Sequence, residues 1–265
     1  MLDIIKKRKS IRGYSDSDLN PYDEKEVGEI LKNTYKGLFG NEFSFIMIGE
    51  GLNDYKGKIG TYGFITGRFY CVCAWCKNNK NYLIDYGYTL ENIVLSLTKL
   101  NISTCWLGGT FNKSNIIDAL GVRNDNESTI PAIITLGYND NKIKLRHRLI
   151  SFKPKDKKRK RFNELFLDKD LKPIVRNDLY SLFEAIQWAP SAVNYQPWRL
   201  IIIDNTIHFY NADTKGNPMH YLDMGIALCH FDGERKYQGL DGEWLKNQEV
   251  VIDNNWNYII SFKIK

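Results

Sequence analysis

No stretch of this 265-residue chain comes near the ~20 consecutive apolar residues that a bilayer-spanning helix requires. A helical membrane protein is therefore excluded. The opening Met1-Leu-Asp-Ile-Ile-Lys-Lys-Arg-Lys-Ser10 puts its charges after a very short apolar run, which is not the layout of an export signal. Cysteine is sparse and odd in number, at five. That count argues against a disulfide framework and for reduced thiols in a cytoplasmic protein. A second cysteine pair is missing, and no His lies near Cys71-Val-Cys-Ala-Trp-Cys76 to complete four zinc ligands. The alternation in Phe69-Tyr-Cys-Val-Cys-Ala-Trp75 reads instead as a buried strand in which Cys acts as a small hydrophobe. A Gly-rich dinucleotide fingerprint is absent. There is no large excess of one charge either: 37 Lys+Arg against 31 Asp+Glu gives +6. With 43% hydrophobic residues, the composition is that of a packed globular protein and not of a disordered one.

The positive charge is concentrated. Between Lys142 and Arg161 eleven Lys/Arg stand against one acid, Asp156, so the rest of the chain is net negative. Nucleic-acid binders usually spread a basic face interleaved with aromatics, whereas Phe152 is the one aromatic here. No specific nucleic-acid partner is expected. The block reads as a solvated connector, or as the source of one or two phosphate ligands.

Along the chain, Asp23-Glu-Lys-Glu26 reads as a capping box opening a helix with Val27, Ile30 and Leu31 on one face. Phe43–Ile48 reads as a strand ended by the Gly49-Glu-Gly51 turn. From Asp85, the spacing of Leu90, Ile93, Val94, Leu97 and Leu100 predicts a long buried helix ending at Asn101. Thr104–Leu107 is a short strand running into Gly108-Gly109, Ser114 caps a helix that stops at Gly121, and Pro131–Leu136 is a strand apolar on both faces. After the basic block, Leu179, Leu182, Phe183 and Ile186 mark a helix ended by Pro190. Trp198–Ile203 and Thr206–Tyr210 form a hairpin across Asp204-Asn205.

Tyr82-Leu-Ile-Asp85-Tyr-Gly87-Tyr-Thr-Leu90 and Tyr221-Leu-Asp223-Met-Gly225-Ile-Ala-Leu228 share Tyr-Leu, Asp-x-Gly and a trailing Leu, offset by one residue. An Asp there can cap a helix, and Gly permits close helix packing. Both halves run helix, strand, Asp-x-Gly helix, which points to internal duplication. The expected fold class is α+β, with each half a sheet packed by helices.

Two segments carry candidate chemistry. Arg8-Lys-Ser-Ile-Arg12 places two arginines four apart, which on a helical or turn-like segment project together and, with a hydroxyl between them, suit a phosphate. Its bland alternative is a solvated basic turn. Ala189-Pro-Ser-Ala-Val-Asn-Tyr-Gln-Pro-Trp198 is stiffened by proline at both ends and offers Ser191, Asn194 and Gln196 beside an apolar rim. Such a segment suits a planar, hydrogen-bonding ring at little entropic cost; otherwise it is a helix-to-strand loop anchored by Trp198.

In these two motifs the sequence resembles the nitroreductase superfamily of FMN-dependent oxidoreductases. Asp85-x-Gly87, Thr104-Cys-Trp-Leu-Gly-Gly109, Pro131–Gly137 and the basic run before Glu164-Leu-Phe166 add matches in the same order. In ordinary members of that superfamily the Pro-Ser-Asn-Gln-Pro segment follows soon after the N-terminal basic motif. Here Asn33–Gly40 lacks it, and the second half lacks Arg-Lys-Ser-x-Arg. Complementary loss of this kind resembles a tandem, single-chain branch, similar to thermophile nitroreductases with an internal pseudo-dimer. The implied organisation is a nitroreductase-like half over 1–150, a basic connector over 151–172 and a shortened second half over 173–265, a monomer acting as a pseudo-dimer with one composite site.

The resemblance assigns Arg8, Lys9, Ser10 and Arg12 to the FMN phosphate and ribityl chain, with Lys157 and Arg159 as further phosphate ligands. It lays Pro190, Ser191, Ala192 and Asn194 along the isoalloxazine ring and brings the backbone of Leu107, Gly108 and Gly109 to the flavin N5 edge. It implies NAD(P)H as transient electron donor, a small nitroaromatic or quinone-like acceptor, and no catalytic acid or base from the protein. A flavin-binding protein without activity is the alternative.

Overall fold

The computed structural model describes residues 1–49, 59–122, 127–140, 158–250 and 254–265. Most of the basic block and part of the Gly49–Gly51 turn lie outside them. The chain divides into two compact units. An N-terminal unit comprises Lys7–Tyr82 and Thr89–Lys153; a C-terminal unit comprises Pro154–Lys265 together with Met1–Lys6 and Leu83–Tyr88. No described helix is long and apolar enough to cross a membrane.

The N-terminal unit is built on a four-stranded antiparallel sheet in the order Ile46–Ile48, Tyr70–Cys73, Ile133–Gly137, Ser103–Leu107. All five residues of Ile133–Gly137 are buried, as its unbroken apolar run implies. Cys71 and Cys73, two apart and so on one face of their strand, join Ile48, Cys105, Leu107 and Ile133 in one core cluster with Tyr14 and with Ile116 of the Lys113–Leu120 helix. Burial pushes the Cys73 and Cys76 thiols up to about 12, leaving them protonated and unreactive. The cysteines of this sheet are thus packing residues, and all five in the chain are free.

Three local expectations are corrected. The Pro21–Leu31 helix is capped by Asn20, whose side chain accepts the Asp23 amide at 2.8 Å, so Asp23 lies in the first turn and is not the cap. Asn112, not Ser114, caps the Lys113–Leu120 helix, which ends at Gly121 with φ 62°. Phe43–Ile48 is split: Glu42–Ser44 pairs with Thr34–Lys36, and Ile46–Ile48 pairs with Tyr70–Cys73.

In the C-terminal unit a five-stranded sheet runs in the order Gly242–Leu245, Asn257–Ile264, Thr206–Asn211, Trp198–Ile203, Phe166–Leu167. Only the last pair is parallel. The expected hairpin is present, closed at Ile203↔Thr206 with Asp204 at φ 50°. Tyr180–Gln187 buries Leu182, Phe183 and Ile186. The Met219–Tyr237 helix is buried on nearly all sides, from His220 to Glu234, as befits a central helix.

Met1–Lys6 is held in this unit through Lys6 Nζ to Glu184 at 2.8 Å and the terminal amine to Glu234 at 3.5 Å. Residues Leu83–Tyr88, the start of the Tyr82–Lys99 helix, are fixed by glycine. A Cβ on Gly225 would lie 1.9 Å from Ile84 O, and one on Gly87 would lie 2.2 Å from Leu222 O. The two helices therefore touch backbone to backbone within this unit, and neither position admits a side chain.

Candidate functional site

The Arg8–Arg12 segment of the N-terminal unit follows the Leu2–Lys7 helix but does not continue it. Ser10 pairs in parallel with Thr104, the Ile11 amide donates to Thr104 O at 2.9 Å, and Arg12 O accepts the Thr66 amide at 3.0 Å. The segment thus lies along the free edge of the Ser103–Leu107 strand, and the helical i,i+4 geometry expected for Arg8 and Arg12 is not realised. Burial raises the Cys105 thiol, and the charges of Arg12 and Arg8 oppose that shift.

Arg8 is buried, and its Nε makes no hydrogen bond; it sits 3.9 Å from Glu91 Oε1. Glu91 also accepts the Trp106 indole N–H at 2.7 Å. Lys9, Ser10 and Arg12 are exposed. A cavity of about 160 Å³ is lined by Lys7, Arg8, Lys9, Asn101, Ser103 and Thr104, among others; Ser10 and Arg12 do not line it. Asn101, at φ 63° just past the end of its helix, is a lining residue that motif reading misses.

Leu107 ends the neighbouring strand and is buried, while Gly108 and Gly109 are exposed. A Cβ on Gly109 would meet no described atom within 4 Å, and its φ is not left-handed. Neither packing nor backbone conformation among the described residues requires glycine there.

The second predicted segment is in the C-terminal unit. After Pro190, Ser191 is extended (φ −148°, ψ 160°), and Ala192–Asn194 forms a single 3₁₀ turn. Val193, Asn194 and Gln196 all have positive φ, at 47°, 54° and 55°. Left-handed backbone costs an L-residue roughly 1–2 kcal/mol, and a β-branched residue such as Val tolerates it least. Val193 is also 70% exposed, so packing does not compensate.

The loop is held by a dense set of bonds. The Gln196 amide donates to Ser191 Oγ at 2.9 Å and the Asn194 amide to Ser191 O at 3.0 Å. The Gln196 side chain, 1% exposed, donates to Asn194 O at 3.1 Å and accepts the Lys160 amide at 2.8 Å. Gln196 is therefore an internal staple and not a ligand-facing group. Trp198 is fully buried, as an anchor should be.

The described end of the basic block is stitched to the same segment. Arg159 Nη1 donates to Gln187 O at 2.6 Å and Ala189 O at 2.7 Å, and its guanidinium lies 5.2 Å from the Trp188 ring centroid. Gln187 Nε2 returns a bond to Lys160 O at 2.8 Å. Lys157 lies outside the described residues.

The Asp-x-Gly aspartates are not caps. The Tyr82–Lys99 and Met219–Tyr237 helices begin three and four residues before Asp85 and Asp223, with Asn81 and Pro218 at their N-caps. Asp223 instead accepts the Ala192 amide on Oδ1 at 3.0 Å, and its Oδ2 is buried without a hydrogen bond. Burial pushes this carboxyl up to about 7, against the lowering effect of the Ala192 amide. Close by in sequence, Tyr195 stacks on His220 at 4.1 Å between centroids, and His220 Nδ1 lies 2.9 Å from Asp213 Oδ2. The repeated Asp-x-Gly was the signal that could have marked Asp223.

This mix of helices and sheets is a nitroreductase-like fold. The structure matches the crystal structure of a putative nitroreductase from Thermotoga maritima MSB8 over 99% of this chain and 92% of that chain, with TM-score 0.61 and 17% identity. The chain belongs to the family described as "Putative TM nitroreductase", whose model matches residues 1–233. Shorter matches include an FMN-dependent nitroreductase from Clostridium difficile R20291 (19% identity, 58% of this chain, 99% of that chain, TM-score 0.41). Another is a nitroreductase with bound FMN from Bacteroides fragilis NCTC 9343 (20% identity, 52% of this chain, 88% of that chain, TM-score 0.38). No curated protein matches the chain.

Proposed function

We propose that this protein is an FMN-dependent NAD(P)H oxidoreductase of nitroreductase type, passing electrons to a small nitroaromatic or quinone-like acceptor. It would act as a cytoplasmic monomer whose related halves, 1–150 and 173–265, form a pseudo-dimer around a single flavin, with 151–172 as connector. Arg8, Lys9, Ser10 and Arg12 would hold the phosphate and ribityl chain, with Lys157 and Arg159 as further phosphate ligands. Pro190, Ser191, Ala192 and Asn194 would lie along the ring, and the backbone of Leu107–Gly109 would approach its N5 edge. When bound, FMN supplies the redox chemistry, accepting hydride from the nicotinamide and delivering electrons onward. The protein's residues bind and orient the ring; an amide donor at the N5 edge favours its reduced, electron-rich form.

The Ser191–Gln196 loop carries this reading. Three left-handed residues within positions 193–196, with an exposed valine among them, make a rigid surface that folding alone does not favour, and strain of this kind collects at ligand sites. Two further observations support the fit. Arg8, whose buried Nε makes no hydrogen bond and faces Glu91 Oε1 at 3.9 Å, lines a cavity with Lys7 and Lys9, a cationic wall suited to an oxyanion. Glycine at 109, unexplained by its described neighbours, leaves its main chain open to a ring edge. The reciprocal contacts of Gly87 with Leu222 and of Gly225 with Ile84 pair equivalent positions of the two Asp-x-Gly repeats, which supports the duplication.

The test is the purified protein's absorbance and cofactor mass, followed by anaerobic NADH or NADPH. One FMN per chain that bleaches on reduction is expected. A chain that takes up no FMN even on reconstitution rules the proposal out, and a yellow protein that does not bleach reduces it to flavin binding.

A further inference from the structure

We propose that Asp223 is the positioning residue of the Ser191–Gln196 loop: by accepting the Ala192 amide proton, it ties that loop to the Met219–Tyr237 helix and holds it in its left-handed conformation. The consequence for FMN rests on the flavin reading above; the effect on the loop does not.

Several bonds around the loop close it upon itself, and others leave it from Ala192, Tyr195 and Gln196. Asn194 N to Ser191 O, Tyr195 N to Ala192 O and Gln196 N to Ser191 Oγ all begin and end between 191 and 196. They shape the turn without fixing it to the unit. Gln196 ties its far end to Lys160, and Tyr195 is held by its stacking on His220 of the Met219–Tyr237 helix and by its hydroxyl, which donates to Asp213 Oδ1 at 3.4 Å. At the near end, the bond from Ala192 to Asp223 Oδ1, at 3.0 Å, provides the tie. Its anchor is stiff, because Gly225, two residues on, lies in backbone contact with Ile84.

The same carboxyl is an unfavourable choice for folding. Asp223 is 2% exposed, is not a helix cap, and leaves Oδ2 without a hydrogen bond. Desolvation raises its proton affinity, the mark of a carboxylate held where water would serve it better. A hydrocarbon side chain would suit this site for packing alone. What Asp supplies and a hydrocarbon cannot is an acceptor for Ala192.

Three variants test the assignment. Asp223→Asn keeps an acceptor oxygen, and Asp223→Ala removes it. Ala192→Pro removes the donor instead, at a place where Ser191 already has the extended backbone that a residue before proline adopts. Amide hydrogen exchange at Asn194 and Gln196 in the apoprotein reads the loop, and titration with FMN reads the site. Asp223→Asn should stay within about threefold of wild type in both, whereas Asp223→Ala and Ala192→Pro should each lose about tenfold or more.

Unchanged amide protection in Asp223→Ala and Ala192→Pro overturns the proposal. Should Asp223→Ala not fold, Ala192→Pro against Asp223→Asn decides the same question. Lost protection in a protein that binds no FMN even as wild type supports the tie and overturns only the flavin reading. Lost protection with undiminished FMN affinity overturns the positioning role toward the cofactor.

Discussion

Gly225 and Ile84 meet backbone to backbone: a Cβ on Gly225 would fall 1.9 Å from the Ile84 carbonyl oxygen, and Gly87 stands in the mirrored relation to Leu222 at 2.2 Å. Each glycine lies two residues after its Asp and faces the residue just before the other Asp. Neither carbonyl can retreat, since each is part of a helix. Gly225→Ala and Gly87→Ala should therefore each destabilise the protein by about 3 kcal/mol or more. Urea unfolding checks this, and a loss under about 0.5 kcal/mol in either variant would show that the helices separate easily.

Val193 offers the opposite prediction. It is exposed and left-handed, so Val193→Asn removes β-branching from a conformation Asn accepts, and loses little packing. The variant should be more stable than wild type by about 1 kcal/mol. Thermal and urea melts of the apoprotein measure it; equal or lower stability would mean that Val193 makes contacts worth keeping.

Stability against pH follows from Asp223. Its folded-state carboxyl is raised to about 7 from an ordinary value of 3.8, mainly by burial. Below the ordinary value both states are protonated and nothing is lost. As pH rises toward 7 the unfolded chain releases this proton first, so the contribution to stability falls and is lost as pH passes the folded value. Asp223→Asn should remove that decline, so the difference between variant and wild type should grow in the variant's favour from pH 4 to 8. Parallel stability curves for the two proteins would contradict it.

For the cofactor, Arg12→Ala and Asn194→Ala should each weaken FMN binding about tenfold, by loss of a charge-assisted contact and of a ring contact respectively. Arg12 is exposed, so its loss should leave the melting temperature within a degree or two. Equilibrium titration of the reconstituted protein reads both. An effect from one variant alone would argue against a site that draws on both segments.

How much of this was legible beforehand varies with the kind of information each element needs. The Trp198–Ile203 hairpin, the buried Ile133–Gly137 strand and the helix through Leu90, Ile93, Val94 and Leu97 follow from local periodicity. Cys71 and Cys73 were legible as core for the same reason. Helix starts were read less well, because several Asp, Asn and Ser residues compete for each cap: Asn20 and Asn112 hold theirs, while Asp23 and Ser114 fall inside the first turn. The strands Gly242–Leu245 and Asn257–Ile264 were not anticipated, the former being only partly buried.

By itself the sequence determined the α+β class, the repeated Asp-x-Gly helices and the two motifs that mark a nitroreductase, because these are written in neighbouring residues and short periods. Tertiary structure alone decided which groups those motifs meet. It ran Arg8–Arg12 along a strand edge, not a helix, it stitched Arg159 to the carbonyls of Gln187 and Ala189, and it turned Asp223 from a helix cap into the acceptor of the Ala192 amide. Hydrogen-bond partners far apart in the chain are chosen by packing, and no local pattern encodes them.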